Sequence, residues 1–445
     1  MAKYKTEGLH CWQKAKELTK KYYQDYKESP ARGGLRWEGG AWSFDAIPQA
    51  LEGEVHGLSE EPYGASIAHN PELQVRYQEA AEGKWGCARD LCSYMRAYWG
   101  SVALNEYAYG GPWPHADFIF QNQICCCHSK WLQVADEIGG GTTPYFCFDV
   151  GVGPYDKIGD RQIEYVVAQL HDGIAFIERV TGRRIVEEKL IQNVYNTYRS
   201  NCYWAKTCEL NQAIPAPLDE KTMFSLYVLG TLEKSNQAIA DFYEKELYPE
   251  IKNRVANKIA AVADERCRVL GDSQPPWGFL RIYRYLEQYG IVSVANLYTF
   301  SLIGWMKVDS NGLLVPYPTL DEQGITIKDR DHALRLLVEG ELKGKLMWAP
   351  FYGATYKNDL VTKIAKQWQC DAAIIHLNRG CEGTAQHQMQ LKIALQEMGI
   401  PAMTFEGNMA DEREFDEGRV LRLIELFVTE TLGLKPKVAL WPKVA

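Results

Sequence analysis

The chain has 445 residues, 46% of them hydrophobic, so it can bury a sizeable core and is too long for a single compact one. Its 49 Lys and Arg against 57 Asp and Glu give a formal net charge of −8, which disfavours nucleic acid as a partner. No signal-peptide pattern opens the chain and no run of about 18 apolar residues occurs, so we predict a soluble, cytoplasmic protein without membrane contact.

The hydrophobic pattern divides the chain into four predicted segments. Residues 1–44 are predicted to form an amphipathic helix and then a Gly- and Trp-rich loop from Ala31 to Phe44. Residues 45–155 alternate short apolar runs with helical patterns, which predicts a first α/β domain. Residues 156–262 carry apolar residues at three- and four-residue spacing, which predicts a helical region.

From residue 263 to residue 445 the alternation returns and predicts a second α/β domain. Strands are predicted at RCRVLG, IVSVANLY, KLMWAP, AAIIHL and PAMTFEG. The predicted fold class is α/β, with two doubly wound, Rossmann-like parallel-sheet domains and an additional helical region.

The 12 cysteines determine the functional prediction, because a reducing cytosol disfavours a disulfide framework. No C-x-x-C pair occurs, so the ligand spacing of common ferredoxins and zinc ribbons is missing. Ligands of doubly wound sheets bind beyond the carboxyl ends of the strands. Two cysteine sites fit that position: the run Cys125, Cys126 and Cys127 after HADFIFQNQI, and Cys381 after AAIIHLNRG.

Other cysteines lie inside helical or strand patterns and are predicted to be core residues, because free Cys behaves as a small hydrophobe. They are Cys11, Cys147, Cys202, Cys208, Cys267 and Cys370. Three consecutive cysteines are harder to pack into a core, because consecutive side chains point to different sides. The residues alone leave a metal role and a core role open for that run.

Several segments resemble the 2-hydroxyacyl-CoA dehydratase family. CSYMRAYWG, starting at Cys92, and ADFIFQNQICCCHSKW resemble two ligand motifs of the family. IIHLNRGCEGTAQHQMQLKIALQEMGIPAMTFEGNMAD, which contains Cys381, resembles the third, and RVLGDSQPPWGFLRIYRYLEQYGIVSV resembles the opening of the second domain. Within the family, the chain looks most similar to the larger substrate-module subunit of ATP-dependent benzoyl-CoA reductases.

The sequence departs from the family pattern at two places. Where the family usually shows Cys-Asp, this chain has three cysteines followed by His128. Where many members have Glu-x-Asp, it has Glu406, Gly407 and Asn408, so one carboxylate is missing.

The resemblance implies a four-iron four-sulfur cluster with one iron open to substrate or water. Its implied ligands are Cys92, Cys381 and one cysteine of the triple run. Spacing to Lys130 favours Cys125, with Cys126 kept as an alternative metal ligand and Cys127 not excluded.

The resemblance also implies a CoA thioester substrate and several protein partners. These are a related cluster-binding subunit that forms a heterodimer, ATP-hydrolysing activator subunits, and a ferredoxin-type electron donor. ATP is expected only on the activator, because this chain has no G-x-x-x-x-G-K-[ST] loop.

The implied reaction is one-electron reduction of the aromatic ring of benzoyl-CoA, leading to a cyclic dienoyl-CoA. One alternative is a 2-hydroxyacyl-CoA dehydratase, in which the electron on the thioester carbonyl drives loss of hydroxide. Another is a relay subunit that passes electrons to a sister chain and binds no substrate. A zinc hydrolase is disfavoured, because zinc ligand spacings and H-E-x-x-H are missing.

Proton transfer and phosphate binding need further residues. His128 is the predicted catalytic proton donor, because of its position beside the cysteines and the tunable pKa of imidazole. A helix-capping or packed role for His128 stays open, and His376 is expected to be packed. Cations near the predicted ligands could bind the CoA diphosphate or could be solvated surface charges. These cations are Arg89, Arg96, Lys130 and Arg379.

Overall fold

The computed structural model describes residues 3–41, 43–123, 125–150 and 155–436. Within these ranges, no helix is both long enough and apolar enough to cross a membrane.

The first α/β unit contains a four-stranded parallel sheet. Its elements are β1 (Lys5–Thr6), α1 (Trp12–Glu28), β2 (Leu35–Gly39), β3 (Val55–Ser59), α2 (Glu60–Ile67), α3 (Pro71–Trp85), α4 (Ser93–Ala103), β4 (Phe118–Gln123), α5 (His128–Gly139) and β5 (Tyr145–Asp149). The sheet has the order β3-β2-β4-β5, and every pair is parallel. Central parallel strands are covered on both faces, which explains the continuous apolar run Phe118, Ile119 and Phe120 in β4.

The helical region joins the two α/β units. Its elements are α6 (Asp160–Thr181), α7 (Glu187–Leu210), α8 (Glu220–Leu226), α9 (Val228–Glu233), α10 (Gln237–Asp241), a π-helical turn (Phe242–Leu247), α11 (Tyr248–Ala256) and β6 (Ile259–Ala260). β6 pairs in parallel with β1, so the start of the chain is tied to the end of this region.

The second α/β unit contains a second four-stranded parallel sheet. Its elements are β7 (Cys267–Asp272), α12 (Arg281–Glu287), β8 (Ile291–Asn296), α13 (Leu297–Ser301), β9 (Met306–Val308), β10 (Leu314–Pro316), α14 (Arg330–Glu339), α15 (Ala354–Gln367), β11 (Ala372–Asn378), α16 (Glu382–Ala385), α17 (Gln388–Glu397), β12 (Ala402–Gly407) and α18 (Glu417–Leu426). The sheet has the order β12-β11-β7-β8, while β9 and β10 form a separate antiparallel pair. Two parallel sheets and a helical region confirm the predicted α/β fold class.

Two local predictions are wrong. The loop predicted from Ala31 to Phe44 contains β2, which pairs with both β3 and β4; glycines on both sides of the strand concealed it. The strand predicted at KLMWAP lies in a 3₁₀ helix, Leu346–Tyr352. Pro350 has no N–H to donate to a neighbouring strand, which disfavours a place inside the sheet.

The domain boundaries at residues 44, 155 and 262 stay predictions. Because β2 lies in the middle of the first sheet, we propose that the first α/β domain begins before residue 44.

Five of the six cysteines predicted to be core residues are buried, and Cys147 is exposed. Cys147 lies on β5, an edge strand of the first sheet. The face of β5 that carries Cys147 is only partly covered by other elements. The prediction for Cys147 is therefore wrong.

A buried ion-pair network joins the two α/β units beside the Cys92 loop. The side chain of Arg96 is 0% exposed and donates to the carboxylates of Glu82, at 2.6 Å, and Asp411, at 3.0 Å. Arg413 donates to the same two carboxylates, at 2.6 and 2.8 Å. Arg96 also donates to the carbonyl of Leu91, the residue before Cys92.

We expect Arg96→Met to lower the free energy of unfolding by about 3 kcal/mol, because it removes one partner from a buried ion-pair network. Urea denaturation followed by circular dichroism measures this. Arg89→Met is the control, because Arg89 is half-exposed and lies 3.8 Å from Glu82. Equal effects of the two substitutions would contradict a special role of the buried network.

Candidate functional site

A cavity of about 660 Å³ lies at the carboxyl ends of strands from both sheets. Glu61 follows β3, Cys125 to Cys127 follow β4, and Cys381 follows β11. Gln274 after β7 and Tyr298 after β8 also line it. This is the crevice in which parallel α/β sheets bind ligands.

Cysteines stand at the N-terminal ends of helices that meet at this cavity. Cys92 is the N-cap of α4 and Cys127 the N-cap of α5, while Cys381 immediately precedes α16. The partial positive charge at the start of α4 and α5 favours a thiolate there. The backbone N–H of His128 donates to the Sγ of Cys125 at 3.5 Å.

Thiols from the two loops of the first unit are hydrogen-bonded to one another. Hydrogen bonds from Cys125 and Cys92 lower the pKa of Cys127 to about 2. Its hydrogen bond to Cys127, together with burial, raises the pKa of Cys92 well above the usual value of a thiol. Electrostatic interaction with the thiol group of Cys381 also raises the pKa of Cys92 and that of Cys125. The structure therefore brings Cys92, Cys125, Cys127 and Cys381 together, while Cys126 is exposed.

The close packing of the side chains of Ser93 and Asn408 against the Cys381 loop explains the glycine before Cys381. A Cβ atom on Gly380 would lie 2.6 Å from the Oγ of Ser93 and 2.4 Å from the Oδ1 of Asn408. Only glycine lets the Cys381 loop come this close to the start of α4.

A buried lysine holds the segment that carries Cys381. The ammonium of Lys357, on α15, donates to the carbonyls of Thr384 and Gln386, both at 2.8 Å. It also lies 2.8 Å from a carboxylate oxygen of Asp272, at the end of β7. All three N–H groups of this fully buried side chain have an acceptor, so the turn after Cys381 is fixed to the second sheet.

An imidazole lies between two carboxylates in the same cavity. His128, the first residue of α5, bonds through its Nε2 to Glu61, and its Nδ1 lies 3.5 Å from Glu60. Glu61 also accepts from the backbone N–H of Ala41 at 2.5 Å. The amide of Gln121 donates to both oxygens of Glu60. Donor atoms of the three ionisable side chains all lie within 4.8 Å of one another, so they could also hold a cation.

The charges of this group depend on one another. Burial lowers the pKa of His128, but the Glu61 and Glu60 carboxylates outweigh burial and raise it to about 9. Burial raises the pKa of Glu60 well above its usual value. Burial also opposes ionisation of Glu61, yet the charge and hydrogen bond of His128 lower its pKa. The favoured state is an imidazolium paired with the Glu61 carboxylate.

The rest of the cavity wall is rich in aromatic side chains. Trp277 donates from its indole nitrogen to the hydroxyl of Tyr94, and Tyr227 donates to the hydroxyl of Tyr298 at 3.2 Å. Phe224 contacts Trp277 edge to face, with ring centroids 5.9 Å apart. The wall can therefore surround a flat, apolar group.

The predicted phosphate-binding cations do not line the cavity. Arg96 is buried in the ion-pair network, and Arg379 is exposed and paired with Glu406 at 2.5 Å. Arg89 lies near Glu82, and Lys130 donates to Gln133. A second histidine is also elsewhere: His376 is buried, bonds to the carbonyl of Gln274 at 2.7 Å and stacks on Phe405, as expected for a packed residue.

The donor set fits an iron-sulfur cluster better than a single zinc ion. Zn–S bonds of about 2.3 Å bring the sulfur atoms of a zinc site close together. Among the described residues, no three thiols have all of their sulfur atoms within 4.8 Å of one another. Iron-sulfur clusters are bound by cysteine thiolates and tuned by hydrogen bonds to the sulfur atoms. This cavity offers both: thiols at helix N-termini, and an N–H that donates to the Sγ of Cys125.

The fold and the site define an α/β protein in which cysteines and a buried histidine paired with a glutamate line one cavity at the strand ends of both sheets. The family model described as 2-hydroxyglutaryl-CoA dehydratase, D-component, matches residues 71–429. The chain therefore belongs to this family.

Curated relatives are distant. The α subunit of (R)-2-hydroxyglutaryl-CoA dehydratase from Acidaminococcus fermentans is 25% identical over 323 residues, which cover 70% of this chain and 60% of that subunit, less than two thirds of its length. The α subunit of (R)-2-hydroxyisocaproyl-CoA dehydratase from Clostridioides difficile is 23% identical, covering 86% of this chain and 89% of the relative. The α subunit of (R)-phenyllactyl-CoA dehydratase from Clostridium sporogenes is 24% identical, covering 89% and 94%. All three are named as dehydratases, and none as a benzoyl-CoA reductase.

The sequence reasoning missed Glu60, Glu61 and Lys357. The two glutamates directly follow β3, so inspecting every strand end for carboxylates as well as cysteines would have found them. Gly40 packs against this group in the folded chain, because a Cβ there would lie 2.8 Å from the ring of His128. Lys357 lies in a helix with no local signal, since its partners follow it by 27 and 29 residues or precede it in β7.

We expect Lys357→Met to loosen the Cys381 turn, because two carbonyls and the Asp272 carboxylate lose their shared donor. Hydrogen-deuterium exchange of a peptide spanning residues 380–388 should become faster. Lys363→Met, on the same helix and paired only with Asp359 in the described part of the chain, is the control. Unchanged exchange in the Lys357 variant would show that Lys357 does not hold this turn.

Proposed function

We propose that this chain is the cluster-holding, acyl-CoA-binding subunit of an enzyme that transfers single electrons to its substrate. The observation that carries the proposal is one cavity that contains both the converging cysteines and His128 paired with Glu61. Electron transfer to an acyl-CoA produces an anionic radical that needs a proton in a water-poor place.

The proposed ligands of a four-iron four-sulfur cluster are Cys92, Cys381 and one cysteine of the run at the start of α5. Cys125 is the residue that the resemblance implied, and Cys127 is supported by its N-cap position, which matches that of Cys92. Cys126 is exposed and is the least supported. Such a cluster, when bound, supplies single electrons at low potential.

His128 is the proposed proton donor. Its Nε2 is held by Glu61, so the ring has a fixed orientation, and the side chain lines the cavity beside the cysteines. Glu61 is itself fixed by the N–H of Ala41. The pair can deliver a proton to a bound acyl group without opening the cavity to water.

Dehydration of a 2-hydroxyacyl-CoA is the reaction that the names of the relatives support. They favour it over the ring reduction implied by the resemblance. Reduction of the aromatic ring of benzoyl-CoA is kept as a second candidate because of the aromatic cavity wall around Tyr94, Trp277 and Tyr298. Ring reduction would consume two electrons and two protons for each cyclic dienoyl-CoA formed, whereas dehydration returns its electron.

The protein partners follow from the same proposal. The relatives are α subunits, which supports a heteromeric partner subunit for this chain. We propose that this partner is a related cluster-binding chain, and that a separate ATP-hydrolysing activator, reduced by a ferredoxin-type donor, supplies electrons. A purely relaying role for this chain would be supported if it held a cluster but bound no acyl-CoA. The cytoplasmic location stays a prediction.

Anaerobic iron and sulfide analysis with EPR tests the ligands. We expect about four irons in the wild-type chain and loss of the cluster in Cys92→Ala and Cys381→Ala. Cys125→Ala and Cys127→Ala, compared side by side, identify the third ligand. Cys147→Ala is the control, because its exposed thiol lies away from the cavity. Wild-type protein with zinc in place of iron would refute the proposal.

We expect His128→Asn to slow turnover by roughly a hundred-fold or more, because it removes the proton donor. Iron content should not change, because the backbone N–H to Cys125 remains. His376→Asn, a change of a buried histidine outside the cavity, is the control for altered packing. Normal turnover of the His128 variant would exclude it as the donor.

The reaction itself is decided by electron counting with benzoyl-CoA and a 2-hydroxyacyl-CoA, using the reduced activator. Consumption of two electrons for each product molecule identifies a reductase. Turnover of many substrate molecules for each electron supplied identifies a dehydratase. No turnover of either thioester, with a loaded cluster, would overturn the proposed function.

A further inference from the structure

We propose that Lys16 and Lys20 on α1 bind the phosphate groups of CoA and so form the nucleotide end of the substrate site. This inference rests on the proposed function, because it takes an acyl-CoA as the ligand of the cavity. It assigns the phosphate contacts to a helix whose sequence carries no family motif.

One face of α1 forms a wall of the cavity. Six α1 residues at three- and four-residue spacing line it, as expected for a single helix face. They are Trp12, Ala15, Lys16, Thr19, Lys20 and Tyr23. The same cavity is lined by Cys92 and Cys381, so an extended ligand can contact α1 and still reach the thiols.

Lys16 and Lys20 are the positively charged side chains of the described cavity wall that have no carboxylate partner. Among the described lining residues, they are the only lysine or arginine side chains. Their ammonium groups form no ion pair within the described part of the chain, and that of Lys16 lies 5.8 Å from the ring centroid of Trp12. The remaining charged lining groups are carboxylates and the imidazolium of His128, whose charge is paired with Glu61, so Lys16 and Lys20 are the unpaired cations of the described cavity wall. The carboxylates belong to Glu61, Asp90 and Glu382.

Helix α1 is a rigid support for these cations. The Glu250 carboxylate accepts from the backbone N–H groups of His10, at 2.7 Å, and Cys11, at 3.0 Å. Tyr22 accepts from the N–H of Ser59, and Tyr26 donates to Glu38 at 2.9 Å. Because the helix backbone is already fixed, phosphate binding needs to order only the lysine side chains.

The chemistry of the ligand agrees with this placement. CoA carries a diphosphate and a 3′-phosphate at one end and the thioester at the other. An ammonium is a compact point charge suited to phosphate oxygens. With the phosphates at Lys16 and Lys20, the thioester end points toward the cysteines and His128.

Binding of CoA, dephospho-CoA and pantetheine to the full chain, measured by isothermal titration calorimetry, tests the subsite. We expect the Lys16→Ala, Lys20→Ala double variant to bind CoA roughly ten-fold more weakly. Its affinity for pantetheine, which has no phosphate, should equal that of the wild type. Added salt should reduce the difference in CoA affinity between the wild type and the double variant, because salt screens exposed charges.

The matched control is the Lys14→Ala, Lys21→Ala double variant, which removes two lysines of the same helix that do not line the cavity. Lys21 is already paired with Asp25. We expect it to bind CoA like the wild type.

Three outcomes would overturn the inference. CoA binding that is unchanged in the Lys16, Lys20 variant, or equally weakened in the control, removes the subsite and leaves the proposed function intact. Equal loss of CoA and pantetheine in the Lys16, Lys20 variant would show a general disturbance of the cavity. Wild-type protein that binds neither ligand would overturn the proposed function as well.

Discussion

The site depends on the close packing of two segments, one from each α/β unit. Gly380 packs against Ser93, next to Cys381 and Cys92 respectively. The buried amide of Gln78 donates to the carbonyl of Ser93 at 3.2 Å and to that of Ala410 at 2.8 Å, so it bridges the same two units. The proposed cluster, bonded to both loops, would tolerate little change in their separation, so under this proposal the interface between the units is part of the site.

Buried ion pairs hold both cysteine-bearing segments, the Cys92 loop and the turn after Cys381. Arg96 and Arg413 share two carboxylates beside the Cys92 loop, and Lys357 fixes the turn after Cys381. A buried charge is costly unless its partners are all present, so each network favours one relative position of the segments it joins. The specificity gained in position, more than net stability, accounts for their place next to the cysteines.

Much of the scaffold could be predicted from periodicity, and much of the site could not. Alternating apolar runs predicted both sheets, and the rule that ligands bind beyond strand ends pointed to the run Cys125 to Cys127 and to Cys381. The strand β2 was missed because its short apolar pattern is surrounded by glycines. Predicted phosphate ligands such as Arg96 failed for another reason: closeness in sequence to a cysteine says nothing about the direction of a side chain on a helix. Lys16 and Lys20 are more than 70 residues from Cys92, so only the folded chain places them on the same cavity.

The distribution of charge in the cavity would favour one orientation of an acyl-CoA, the substrate proposed for this chain. The lysines at the α1 end attract phosphates, whereas the Glu382 carboxylate beside Cys381 repels them. The overall charge of −8 therefore does not oppose binding of an anionic CoA ester, because the local field reverses along the cavity. Under the proposed function, an acyl group in the aromatic part of the cavity would be near both the thiols and His128, which line the same cavity. Because His128 directly follows Cys127, the proposed sources of the electron and the proton lie side by side, so one position of the acyl group can serve both.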